Sequence, residues 1–115
     1  MKIKIHHING KKVAEVGSAS VFINSVESAL DLLGNLYYEG FDKIILYEKN
    51  LLPAFFDLKT GIAGEILQKF TNYRMPLVII GDFSQYTSKS LADFILESNK
   101  GSQVNFTAAL SDALK

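Results

Sequence analysis

Cysteine and tryptophan are absent from this chain, proline occurs twice and arginine once. Without cysteine there is no disulfide, no thiolate nucleophile and no cysteine metal site, a usage that suits a reducing cytoplasm. The lone arginine, Arg74, leaves no guanidinium pair to clamp a phosphate, so a nucleotide site would rest on backbone N–H groups and lysine. Charge of one sign is lacking too. The 12 acidic and 12 basic side chains cancel and the lysines are scattered, which removes the electrostatic footprint of a nucleic-acid binder. Long apolar runs are also missing. The segment 77–80 is far too short to span a bilayer, and MKIKIHHING alternates charged and apolar residues where a signal peptide needs a continuous apolar stretch. The expectation is a soluble cytoplasmic protein with no cofactor and neither a membrane nor a nucleic acid as partner.

What remains is material for a core. The chain has 115 residues, 48% of them hydrophobic. That length predicts one domain, residues 1–115, which buries roughly two thirds of its unfolded surface.

Residues 2–8 and 11–16 flank Asn9-Gly10, the dipeptide that turns a two-residue hairpin. That loop pairs Ile8 with Lys11, His6 with Val13, Ile5 with Ala14 and Ile3 with Val16. The pleat then puts Ile3, Ile5, Ala14 and Val16 on one face and Lys2, Lys4 and Glu15 on the other. Val21-Phe22-Ile23 reads as a short strand. Asn24 and Glu27 have the spacing of a capping box before a helix whose stripe is Val26, Ala29, Leu30, Leu33, Leu36 and Tyr37, with Gly40 as its stop. Gly34, inside that helix, marks a close crossing with a neighbour.

Ile44–Tyr47 and Leu77–Ile80 are continuous apolar runs, the mark of strands buried on both faces. Between them lies a helix with stripe Ile62, Ile66, Leu67, Phe70 and Tyr73. A third helix, capped by Thr87 or Ser88, carries Leu91, Phe94 and Ile95. A strand over residues 103–106 and a terminal helix capped by Thr107 complete the order. Strands alternating with helices imply parallel pairing. The fold class is therefore α/β, with a mixed sheet in two or three layers, an N-terminal β-hairpin and strand–helix repeats.

Strand ends that feed helix N-termini are where α/β domains place their chemistry, which points to two segments. The first is the turn from Asp57 to Gly64. With Thr60 as N-cap, Gly61 and the residues after it would offer free N–H groups at the positive end of a helix dipole, and Lys59 would add charge for a small anion. A phosphorylated Thr60 would occupy the same field. The bland alternative is plain helix capping, with Gly61 and Gly64 packing close to the sheet. The second segment is the loop from Asp82 to Ser90. Asn24, Glu48 and Asp82 would emerge along one rim, beside Tyr86, Thr87, Ser88 and Lys89. Oxygen ligands of that kind suit a hard cation, yet ordinary turn residues look the same and no spacing marks a metal site.

His6-His7 point to opposite faces of a strand and do not chelate one metal together. Phe55-Phe56, among the aromatic set Tyr37, Tyr38, Phe41, Phe55, Phe56 and Phe83, form either a partner-binding patch or a loop packed over the core.

The order of elements and the turn DLKTGI resemble the STAS domain (sulfate transporter and anti-sigma factor antagonist). That family carries Asp-Ser-Ser-Gly-Leu between a strand and a helix, with a serine as phosphorylated switch. Thr60-Gly61-Ile62 match Ser-Gly-Leu, so the resemblance assigns the switch to Thr60. Asp57 stands one residue farther from the glycine, with Leu58 and Lys59 between. The segments YEKNLLPAFFDLKTGIAGEILQKF and GDFSQYTSKSLADFILESNKG, with the terminal helix, are similar to a bacterial family known only as a domain of unknown function. Those resemblances imply a STAS-like fold in a bacterial cytoplasm.

The expected function is a non-enzymatic regulatory or binding module. It would contact a protein or small anion through Asp57, Lys59, Thr60, Gly61, Asp82, Tyr86, Thr87 and Lys89. The alternatives are a small-molecule enzyme using Asp82, Glu48 and Lys89, and a homo-oligomer joined at the hairpin edge or the aromatic loop.

Overall fold

A computed structural model describes all 115 residues. The N-terminal hairpin joins β1 (Lys2–Ile8) to β2 (Lys11–Gly17) in the register expected from the sequence, including Ile3 opposite Val16 and His6 opposite Val13. Asn9 and Gly10 both have positive φ, 51° and 78°. That combination twists a two-residue loop in the sense the strands need.

Helix α1 (Val26–Tyr38) crosses to β3 (Lys43–Tyr47), α2 (Ile62–Asn72) to β4 (Leu77–Ile80), and α3 (Lys89–Ser98) to β5 (Val104–Thr107); α4 (Leu110–Ala113) ends the chain. The sheet order is β1-β2-β3-β4-β5, antiparallel at β1-β2 and parallel elsewhere. Each crossover returns to the next strand on the same side, so successive helices of like hand stack on one face. Ala14, Val16, Ile44, Leu46, Leu77, Ile79, Val104 and Phe106 point that way. They meet Leu33 and Leu36 of α1, Ile66 and Phe70 of α2, and Leu91 of α3 in one core of 23 buried residues. On the opposite face only the four-residue α4 covers the sheet. It packs with Val13, Ile45, Val78 and Ile80 in a second, smaller cluster.

Several boundaries differ from the sequence expectation. Val21–Ile23 is no strand, since only Ile23 bridges Leu51; no sheet neighbour is left for its other residues. The cap of α1 is Ser25, not Asn24. Its hydroxyl accepts from the Ser28 N–H at 3.1 Å and Ser28 answers by accepting from the Ser25 N–H at 3.0 Å, a reciprocal box built from two serines. Ala109, not Thr107, starts α4, because Thr107 still belongs to β5. Gly34 makes no close crossing: a Cβ there would sit 3.9 Å from the Tyr73 hydroxyl, an ordinary contact.

Candidate functional site

The parallel strands β3 and β4 end side by side, and the segments that leave them form the rim. After β3 the chain runs through three short 3-10 turns, Glu48–Asn50, Pro53–Phe56 and Leu58–Thr60. Phe55 and Phe56 are buried, 1% and 4% exposed, so they are core and not a partner-binding patch. Phe56 stacks on Tyr86 with ring centroids 5.1 Å apart at 22°, and its ring centroid lies 6.1 Å from that of Phe83. This aromatic contact fastens the Asp57–Gly64 turn to the Asp82–Ser90 loop.

Thr60 does not cap α2. Its hydroxyl lies 2.8 Å from the carbonyls of both Ala54 and Asp57, donating back into the preceding turn, and it accepts from the Ile62 N–H at 3.3 Å. The N-cap is Gly61, which has φ 79° and no side chain to give. Positive φ is the conformation a glycine adopts at low cost. Asp57, Lys59, Thr60 and Gly61 are all exposed. Gly64 is exposed with open space around it, so it does not serve close packing on the sheet.

On the second segment, Asp82 accepts from the Ser84 hydroxyl at 2.5 Å and the Ser84 N–H at 3.1 Å. These bonds hold its carboxyl below the usual carboxylate range, the hydroxyl contributing most. Tyr86 donates to Glu48, whose same oxygen accepts from the Gln85 amide at 2.9 Å. Burial, then the bond to Glu48, pushes the Tyr86 phenol up. Ser88, not Thr87, caps α3 by accepting from the Leu91 N–H at 3.2 Å. Thr87 is exposed, and Lys89 pairs with Asp93 at 2.9 Å on the surface of α3.

Each member of the trio offered for catalysis has another partner. Glu48 is held by Tyr86 and Gln85, Asp82 by Ser84, and Lys89 by Asp93. Asn24, the other rim residue expected beside them, belongs to the α1 cap region, where its N–H donates to the Ser28 hydroxyl. No three histidine or carboxylate side chains gather where they could hold a metal ion. The unbroken strand order supplies a reason. Without a reversal of order the sheet has no switch point of the kind at which diverging loops open a crevice.

A polar group that the sequence reading passed over lies on the sheet face opposite α1–α3. Glu15 accepts from the His6 imidazole at 2.8 Å and from the Tyr47 hydroxyl at 2.6 Å, tying β1, β2 and β3 together. Burial alone would raise the Glu15 carboxyl, but the bonds from Tyr47 and His6 and the charges of His6 and Lys4 bring it below its ordinary value. Burial and then the bond to Glu15 raise Tyr47 to about 12. The alternation of the hairpin already put Lys2, Lys4 and Glu15 on one face. Nothing in it says which face the helices leave bare.

A family model described as a domain of unknown function, DUF4180, matches residues 8–115. The chain belongs to the DUF4180 family. No curated protein and no solved structure matched it. Within this DUF4180 domain no helix is long and apolar enough to cross a membrane.

Proposed function

We propose that this DUF4180 domain is a non-enzymatic regulatory module that binds a partner protein through the Asp57–Gly64 turn and the Asp82–Ser90 loop acting as one surface. The observation that carries this reading is the Phe56–Tyr86 stack, which holds both segments on a common rigid support. Exposed polar groups stand on each side of it: Asp57, Lys59 and Thr60 on one, Asp82, Thr87 and Lys89 on the other. General acid–base catalysis needs a group placed to exchange a proton with a reacting atom. Here the Asp82 carboxylate is occupied in shaping its own turn, and that of Glu48 in joining the turn after β3 to the Asp82–Ser90 loop.

The STAS-like reading gives the surface its regulation, with Thr60 as the switch. One hydroxyl proton serves the Ala54 and Asp57 carbonyls. A phosphate on that oxygen has no proton to give them and carries a charge of about −2 against their lone pairs. The Leu58–Thr60 turn would have to reorganise, while the positive end of α2 and Lys59 would favour the new charge. Modification would therefore change the shape and the charge of the contact surface together.

Affinity capture with the full chain tests this. Wild type and Thr60→Val are expected to retain the same partner and Thr60→Glu to lose it. Equal capture by all three removes the switch.

A further inference from the structure

The sheet face opposite α1–α3 carries a site of its own. Lys2 and Lys4, two apart on β1, project to the same side as Glu15 of β2, and Lys49 arrives from the turn after β3. With Gly17, Ser18 and neighbouring residues they line an open hollow of about 780 Å3. That volume falls in the range of small-molecule sites, roughly 300–1,000 Å3.

Three of the chain's lysines, Lys2, Lys4 and Lys49, line this hollow. Lys89, Lys100 and Lys115 each pair with a nearby carboxylate, Asp93, Glu97 and Asp112. Lys2, Lys4 and Lys49 have no ion-pair partner. The one carboxylate in the hollow, Glu15, is already engaged through both oxygens by His6 and Tyr47. Three lysines thus line a concavity whose one carboxylate, Glu15, is hydrogen-bonded through both oxygens and feels the Lys4 charge, leaving an excess of positive charge.

The wall is built independently of the lysines. Asn50 is fully buried, and its amide donates to the Ser18 and Ser20 carbonyls at 2.8 Å each, pinning the loop that closes the hollow beyond β2. The Asn50 Oδ1 atom is buried with no partner. A buried oxygen without a partner is costly, and what Asn50 contributes in that position is the hold on loop 18–20.

We propose that this hollow binds a compact organic anion carrying two or more negative charges, from phosphate groups or from several carboxylates. Lysine is a point charge on a flexible stem. It rewards charge number over planar geometry, so phosphate and polycarboxylate share the recognising chemistry. The site is separate from the Phe56–Tyr86 surface and neither reading depends on the other.

Amide NMR titrations of the full chain with inorganic pyrophosphate and with citrate, at constant ionic strength, test the proposal. Saturable shifts at Gly17, Ser18, Ala19 and Lys49 with either probe support it, and the probe that saturates names the anion type. Lys4→Gln and Lys49→Gln are each expected to weaken binding about tenfold, the size of a lost charge-assisted hydrogen bond. Lys100→Gln should leave it unchanged. All three lysines are surface residues, so the variants fold. Absence of saturation with both probes, or equal weakening by Lys100→Gln, overturns it.

Discussion

Glu48 and Gly81 stand against one another at the ends of neighbouring parallel strands: a Cβ on residue 81 would lie 2.5 Å from the Glu48 Cβ. The glycine is what lets Glu48 fold over the end of β4 and reach Tyr86 and Gln85. Backbone stands on both sides of that contact, so it cannot be relieved by turning a flexible side chain.

Gly81→Ala is therefore expected to destabilise the fold by about 1–3 kcal/mol, the usual cost of overpacking. Urea denaturation measures it. Adding Glu48→Gly, which removes the opposing Cβ, should recover part of the loss. An unchanged midpoint for Gly81→Ala would mean that the strand ends are not packed as described.

Asn50→Ala removes both donors that hold the Ser18 and Ser20 carbonyls. The expected loss is about 1–3 kcal/mol, the net worth of two hydrogen bonds. Hydrogen exchange should localise the loosening to residues 18–23 and 50–52. A loss spread evenly over the sheet would point to a general core defect.

Both pH limits have named groups. The Tyr47 phenol is raised to about 12 in the folded protein against 10.0 ordinarily, and Tyr86 is raised as well. A raised folded pKa means stability fully present below about 10 and lost as pH climbs through the folded value. Tyr47→Phe and Tyr86→Phe should each flatten the alkaline fall in denaturation midpoint. Glu15 is lowered, so its contribution is present above its ordinary carboxylate range and lost as pH falls through the folded value. Glu15→Gln should flatten the acid limb. Unaltered limbs in these variants would remove the Glu15 and Glu48 networks as sources of pH dependence.

Much of this architecture is legible in the residues alone. Asn9-Gly10 and the alternation around it fix the hairpin register, because a slip of one residue would turn Ala14 and Val16 out of the core. The runs at 44–47 and 77–80 announce strands covered on both faces, and Ile44, Ile45, Leu46 and all of β4 are buried. Local geometry is harder to read. Serine, threonine and asparagine are near-equivalent as caps, so Asn24 and Thr60 looked as suitable as Ser25 and Gly61. What chose between them was the tertiary path of the chain, such as Thr60 turning back to Ala54. The bare sheet face was illegible for a different reason. Period-two alternation separates two faces without telling which one receives the helices, and that depends on all three crossovers returning on one side.

The claim that the two rim segments form a single binding surface is tested most directly by site-specific photocrosslinking in cells. Photoreactive residues would replace Lys59 on the turn, Gln85 on the loop and Lys100 as a distant control at the end of α3. Attachment of the same protein at positions 59 and 85, and not at 100, is the expected result. Different proteins at 59 and 85, or equal attachment at 100, would contradict it.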